Sequence, residues 1–224
     1  MVKNSETAHI DGEKRMSTDV IKAENGMTEE CSAETMDTEQ AKKALRKQML
    51  QRRDAMSAQE RTQKSGQIMQ NFLASEWYAE CERVFCYVSF RSEVDTQELI
   101  KHMLSDGKKV AVPRVEGKEM NFYEIRDLAD CELGSFGILE PKNDGKSVIP
   151  AKNEKNSDLM IVPGSCFTTR CDRIGYGGGF YDRFLAKHPI KTVGFFFDCQ
   201  KADMIPCNEY DRKLDHVITE SVLI

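Results

Sequence analysis

The sequence predicts an α/β domain of three layers (α/β/α), with a mostly parallel sheet, preceded by an acidic tail too polar to fold. Short continuous apolar runs recur along the chain, as in strands buried in a core. Segments of helical period separate them, the alternation expected of strands joined by helical crossovers. One junction, between 158 and 187, is a strand, a glycine-rich loop and a helix in direct succession.

Taken in order, residues 1 to 40 contain no Phe, Trp or Tyr and hold ten acids against four bases, a net of −6. With the whole chain at −5, the remainder carries about +1. Low hydrophobicity with high net charge describes a disordered segment, so residues 1 to 40 are expected to be a solvated tail and 41 to 224 the folded domain. The tail has neither the apolar centre of a secretory signal nor the arginine-rich, acid-poor makeup of a mitochondrial presequence. No run of about 18 apolar residues occurs, which argues against a spanning helix. The expected location is therefore cytoplasmic, away from membranes. Eight cysteines without a C-x-x-C pair read as reduced thiols rather than a disulfide framework or a zinc site.

From Ala41 the composition changes to A-K-K-A-L-R-K-Q-M-L-Q-R-R-D-A-M, with Leu45, Met49 and Leu50 at helical spacing and bases on the remaining faces. Ser57-Ala58-Gln59-Glu60 has the form of a capping box opening a second helix that reaches roughly Tyr78. Arg83 to Phe90 is a strand of the buried type. Asp95 or Thr96 then caps a helix to about Leu104. Lys108 to Arg114 and Asn121 to Ile125 are further strands. Residues 136 to 141 are turn-rich, and Lys142 to Ser157 form a polar loop. Thr192 to Phe197 is the last core strand.

The junction itself reads D-L-M-I-V-P-G-S-C-F-T-T-R-C-D-R-I-G-Y-G-G-G-F-Y-D-R-F-L-A-K. Leu159 to Val162 is a strand stopped by Pro163-Gly164, and a polar, basic loop follows from Thr168 to Arg173. Gly175, Gly177, Gly178 and Gly179 then precede a helix with Phe180/Phe184 and Tyr181/Leu185 at i,i+4 spacing, ending before Pro189. Clustered glycines let a ligand approach main-chain N–H groups, and the helix N-terminus adds unpaired donors and partial positive charge. Such a loop is suited to phosphate. Arg173 adds a full charge and a planar fork of donors, and Asp182 is placed to hold a magnesium ion that rides on phosphates. Neither the P-loop triplet Gly-Lys-Ser/Thr nor the dinucleotide fingerprint is present; the latter would need glycine at Phe180. The plainer alternative is a turn that only lets a helix pack closely on the sheet. Arg173, Tyr181 and Asp182 weigh against it.

The string R-I-G-Y-G-G-G-F-Y-D-R, after a strand ending V-P-G and a Phe at 167, resembles the signature of the 5-formyltetrahydrofolate cyclo-ligase (5,10-methenyltetrahydrofolate synthetase) family. The likeness extends over about 41 to 224. It implies an ATP-dependent enzyme that closes 5-formyltetrahydrofolate to 5,10-methenyltetrahydrofolate with release of ADP and phosphate. By the same resemblance Lys42, Arg46, Arg173, Ile174, Gly175, Tyr176, Gly177, Gly178, Gly179, Phe180 and Tyr181 hold ATP. Val88, Glu93, Tyr176 and Phe180 meet the folate, Glu93 accepting from the pterin donors. Arg173 and Asp182 act in catalysis, and Asp182 with Asp211 holds magnesium. The implied partners are the two substrates, without nucleic acid or membrane, and a monomer is expected.

Three positions depart from the family pattern. Thr168 stands where Asp is frequent, Cys171 where Gly is usual, and Phe180 replaces a frequent Tyr, keeping the ring face while losing a hydroxyl. Two rival readings are a non-catalytic relative that keeps the fold and an RNA-binding relative using the basic helix. The presence of Asp182, Asp211, Lys42 and Arg46 argues against the first. The near-neutral remainder argues against the second.

Overall fold

The computed structural model describes residues 37–134, 137–142, 145–151 and 157–224. Almost all of the tail lies outside the described residues, as does most of the stretch 152 to 157. The first helix, α1, is helical over 37–54 and so includes the last four residues assigned by composition to the tail. Residues 41–224 form one compact unit.

Ser57 caps α2 (Ala58–Leu73) by accepting from the Glu60 N–H at 3.1 Å. The segment expected to be one helix to Tyr78 is broken at Ala74, and Ser75 caps a separate short helix, α3 (Glu76–Glu80). Phe72 sits at the bend with its ring edge-on to Tyr78 and Phe195, both at 5.3 Å. The redirection thus lets both helices pack on one core. Burying a ring of this size contributes about 1.5–3 kcal/mol.

Strand β1 (Arg83–Cys86) is shorter than its apolar run. Beyond Cys86 the backbone turns to the next connection: Thr96 Oγ1 donates to Tyr87 O at 2.7 Å and accepts from Ser89 N–H at 3.0 Å. Helix α4 (Gln97–Ser105) follows. Because the Thr96 hydroxyl is spent on β1's extension, Asp95 Oδ1 takes the Gln97 N–H at 2.9 Å instead. Strands β2 (Lys109–Glu116) and β3 (Glu119–Ile125) make an antiparallel hairpin, and β4 (Cys131–Leu133) pairs β5 (Leu139–Pro141) beside it. Strand β6 (Asp158–Val162) is buried along its whole length.

The basic loop expected from 168 to 173 is partly ordered as a ribbon. β7 (Cys166–Phe167) pairs β8 (Arg173–Ile174), with Thr168 buried and its Oγ1 bonded to Asp172 Oδ2 at 2.8 Å. Cys171 adopts φ +64°, the left-handed conformation natural to glycine. Helix α5 (Phe180–Lys187), strand β9 (Lys191–Phe195) and strand β10 (His216–Ile218) complete the unit.

The main sheet has six strands in the order β10-β9-β6-β1-β2-β3, parallel except for β3. Successive side chains alternate between its faces. Val84, Cys86, Leu159 and Ile161 meet Ile68, Phe72, Leu99 and Met103 of α2 and α4, whereas Phe85, Met160 and Val162 meet Phe184 and Leu185 of α5. The result is the three-layer α/β/α arrangement. Parallel β1, β6 and β9 end on one rim, where open α/β sheets collect ligands.

Candidate active site

Arg173 leaves β8 pointing under the glycine loop, 5% exposed. Its Nη2 donates to Asp182 Oδ1 at 2.8 Å, its Nη1 to Pro163 O at 3.2 Å, and the guanidinium lies 5.9 Å from the Tyr181 ring centre. Nε is buried without a partner among the described residues. A guanidinium held this tightly, with one donor left over, is costly unless the site uses it. Asp182 Oδ1 also accepts from the Arg212 N–H at 3.2 Å, which brings the Asp211 segment beside the first turn of α5.

The loop above Arg173 requires its glycines. Gly177 and Gly179 take φ +99° and +64°, and Gly179 is the N-cap of α5, which has no side-chain cap. The first-turn donors of α5 are therefore not spent on a capping side chain. Below the loop, Ser165 Oγ donates to Ile174 O and Gly175 O at 3.0 and 3.2 Å. Gln200, fully buried, donates to Gly164 O at 2.9 Å and Ser165 O at 3.1 Å and so fixes the Pro163-Gly164 turn.

Helix α1 supplies cations from a buried face shared with Met49, whereas the sequence placed its bases on the faces left by Leu45, Met49 and Leu50. Lys42 and Arg53 are each 5% exposed and flank Met49 on that face. Residues at i, i+4, i+7 and i+11 share one helical stripe, so Lys42, Arg46, Met49 and Arg53 point the same way. Lys42 Nζ donates to Asp211 Oδ2 at 2.6 Å. Arg46 Nε donates to Gly175 O at 2.9 Å, which ties α1 to the loop.

Arg53 reaches the other end of the site. Its Nη1 donates to the Tyr176 hydroxyl at 2.7 Å and its Nε to Ser92 Oγ at 3.0 Å, and Ser92 in turn donates to Asp54. The Tyr176 hydroxyl donates to Gly164 O at 3.4 Å, and the phenol neighbours the Glu93 carboxyl, whose charged form it favours. Glu93 Oε2 also accepts the Phe90 N–H at 2.8 Å. Burial pushes the Glu93 carboxyl above its usual range, offset in part by Tyr176, the Phe90 N–H and the Arg53 charge. Burial and the neighbouring Glu93 charge push the Tyr176 phenol up as well.

The structure thus gathers most of the residues singled out in the sequence. Lys42, Arg46, Arg173, Asp182, Asp211 and the loop from Ile174 to Gly179 are joined by direct bonds, and Tyr176 of that loop neighbours Glu93. Val88 is 3% exposed and belongs to the core beneath that end. Phe180 is half-buried under the Arg183 guanidinium, 5.0 Å from the ring centre. It lines a cleft of about 150 Å³ with Met120, Asn121, Ile149 and His188. Arg53, Ser92, Ser165 and Gln200 escaped the sequence reading. Arg53 alone carried a signal, its i+7 spacing from Arg46.

A mostly parallel α/β sheet with an arginine-held glycine loop, a helix N-terminus and a row of cations on one rim is an arrangement suited to phosphate-bearing ligands at the strand ends. The family model for 5-formyltetrahydrofolate cyclo-ligases matches residues 38–220, and the chain belongs to that family. A mouse protein named 5-formyltetrahydrofolate cyclo-ligase is 30% identical over 80% of this chain and 94% of its own. A mitochondrial cyclo-ligase of Arabidopsis thaliana is 33% identical, over 82% of this chain and 75% of the relative. The NMR structure of Aquifex aeolicus 5,10-methenyltetrahydrofolate synthetase superposes with a TM-score of 0.72 at 31% identity, covering 81% of this chain and 91% of that one.

Proposed function

We propose that the chain converts 5-formyltetrahydrofolate to 5,10-methenyltetrahydrofolate at the expense of ATP, releasing ADP and phosphate. The observation that carries this reading is the run from the bonded pair Asp182 and Arg173, through the glycine loop, to Tyr176, which Arg53 holds beside the Glu93 carboxyl. It supports two ligands bound end to end, an anionic phosphate chain at one end and a hydrogen-bond-donating heterocycle at the other.

The formyl oxygen is a poor leaving group because its loss breaks a resonance-stabilised carbonyl. Attack of that oxygen on the γ-phosphorus displaces ADP and leaves an iminium-like phosphate ester on the formyl carbon. N10 of the same molecule attacks this carbon, loses its proton, and phosphate departs as the five-membered ring closes. The protein's part is positioning and charge stabilisation. On this reading Arg173, Lys42, Arg46 and the N–H groups of the loop from Ile174 to Tyr181 hold the phosphates. Glu93 accepts from the pterin amino and ring N–H groups, with Val88, Tyr176 and Phe180 around it.

Asp182 and Asp211 fit a magnesium ion brought in by the nucleotide. Carboxylate oxygens are its preferred protein ligands, and Asp182 Oδ2 and Asp211 Oδ1 have no partner among the described residues. No group of three or more His, Cys, Asp or Glu side chains that could hold a metal ion occurs among the described residues. When bound, magnesium would neutralise charge on the transferring phosphoryl group.

We further propose a cytoplasmic enzyme acting as a monomer, and the near-neutral balance of residues 41 to 224 supports a role that does not involve nucleic acid. No helix among the described residues is long and apolar enough to cross a membrane. The test is growth of the methenyl-folate absorbance band on mixing the protein with ATP, magnesium and 5-formyltetrahydrofolate. No absorbance change, or full turnover without ATP, would overturn the proposal.

A further inference from the structure

Arg53 is a buried cation with no carboxylate within ion-pair distance among the described residues. Burying a guanidinium costs several kcal/mol unless its surroundings compensate, so its placement calls for a reason. Stability alone is a poor one, because two hydroxyls, those of Tyr176 and Ser92, are its recorded acceptors. Each has a second bond that settles its direction. Ser92 passes its proton to Asp54, and Tyr176, accepting from Arg53, turns its own proton to Gly164 O at 3.4 Å. A phenol has one proton, so with Arg53 donating to its oxygen and Gly164 O accepting its proton the Tyr176 hydroxyl is fixed at the Glu93 end, where it favours the charged carboxyl. Nη2 of Arg53 has no partner among the described residues.

We propose that Arg53 is a positioning residue for the folate end of the site, holding the Tyr176 hydroxyl and the turn at Ser92 that presents Glu93 to the pterin. The inference rests on the reading that Glu93 receives the pterin. The groups facing Glu93 are Arg53 from α1, Tyr176 from the glycine loop, the Phe90 N–H from its own turn, and the more distant phenols of Tyr87 and Tyr181. Arg53 is the cation of that set, and burial otherwise works against the carboxylate. Its role differs from that of Lys42 and Arg46 on the same stripe, which meet Asp211 and the loop.

The experiment compares Arg53→Gln, Arg53→Lys and Tyr176→Phe with the parent enzyme. KM for each substrate is measured, along with the dependence of kcat/KM for folate on pH, and melting curves confirm folding. Arg53→Gln should raise KM for folate roughly tenfold and leave KM for ATP within about twofold. Its acid limb should move up by about one pH unit, the effect of losing one nearby opposite charge. Arg53→Lys should recover part of the shift, and Tyr176→Phe should move the limb in the same direction. If Arg53→Gln does not fold, the Lys and Phe variants carry the test. An unmoved limb in these variants, while Glu93→Gln abolishes it, overturns the role of Arg53 alone. Persistence of the limb in Glu93→Gln removes the pterin assignment on which it rests.

Discussion

Arg173 and Asp182 are joined at 2.8 Å across nine residues of sequence, the guanidinium 2% exposed and the carboxylate 22%. The pair locks β8 to the first turn of α5 and so holds both ends of the glycine loop. Its charges are nearly balanced in the structure, and an incoming phosphate would compete with Asp182 for Arg173.

Replacing Arg173 should therefore act on turnover more than on binding. Arg173→Lys keeps a charge but loses the fork that spans Asp182 and Pro163 O. Its kcat should fall about 100-fold or more, as for loss of one donor that stabilises transition-state charge, with KM for folate little changed. Arg173→Ala should also lower stability by about 3–5 kcal/mol, because Asp182 is left without its partner. A larger effect on folate KM than on kcat would place Arg173 at the wrong end of the site.

Asp182→Asn and Asp211→Asn test the magnesium assignment without emptying either position. Each should raise the magnesium concentration needed for half-maximal activity by about tenfold or more, while the apparent affinity for folate stays close to parental. Chelation with EDTA should stop turnover of the parent enzyme. Equal magnesium dependence in both variants and the parent would remove these carboxylates from the metal.

The Glu93 carboxyl gives a pH signature. Its value in the folded protein is raised by burial, so the native state holds this proton more tightly than the unfolded chain does. Its contribution to stability is fully present below the ordinary carboxylate range and is lost as pH rises through the raised folded value. Folate binding has the opposite sign, since the anion is the acceptor: affinity should increase over the same window. Glu93→Gln should flatten that rise and increase KM for folate by about ten- to a hundredfold, leaving KM for ATP unaffected.

Cys171 offers a stability test apart from chemistry. At φ +64° a residue with a Cβ is strained by about 1–2 kcal/mol, and a β-branched one by more. Cys171→Gly should melt at or above the parental temperature, the strain relief offsetting loss of a small buried thiol. Cys171→Val should melt several degrees lower. If both melt alike, the left-handed turn between Thr168 and Arg173 is not kept in solution.

The sequence by itself determined the layers and the chemistry-bearing loop. Uninterrupted runs such as Leu159–Val162 require burial on two faces, and Gly177 and Gly179 occupy positive-φ positions that tolerate little else. It also supplied Lys42, Arg46, Asp182 and Asp211, through motif and family likeness. What it left open were relationships between distant segments. That Arg173 is buried in a ribbon rather than loose in a basic loop follows from pairing of β7 with β8, which two-residue strands do not announce. That α1 turns its charged stripe inward follows from the rim it covers, where Asp211, Gly175, Tyr176 and Ser92 provide the acceptors. A helix exposes its bases by default, because water solvates them best. Only the tertiary structure, by placing acceptors from three separate segments around Lys42, Arg46 and Arg53, made burial of that charge affordable and gave Arg53 a place in the site.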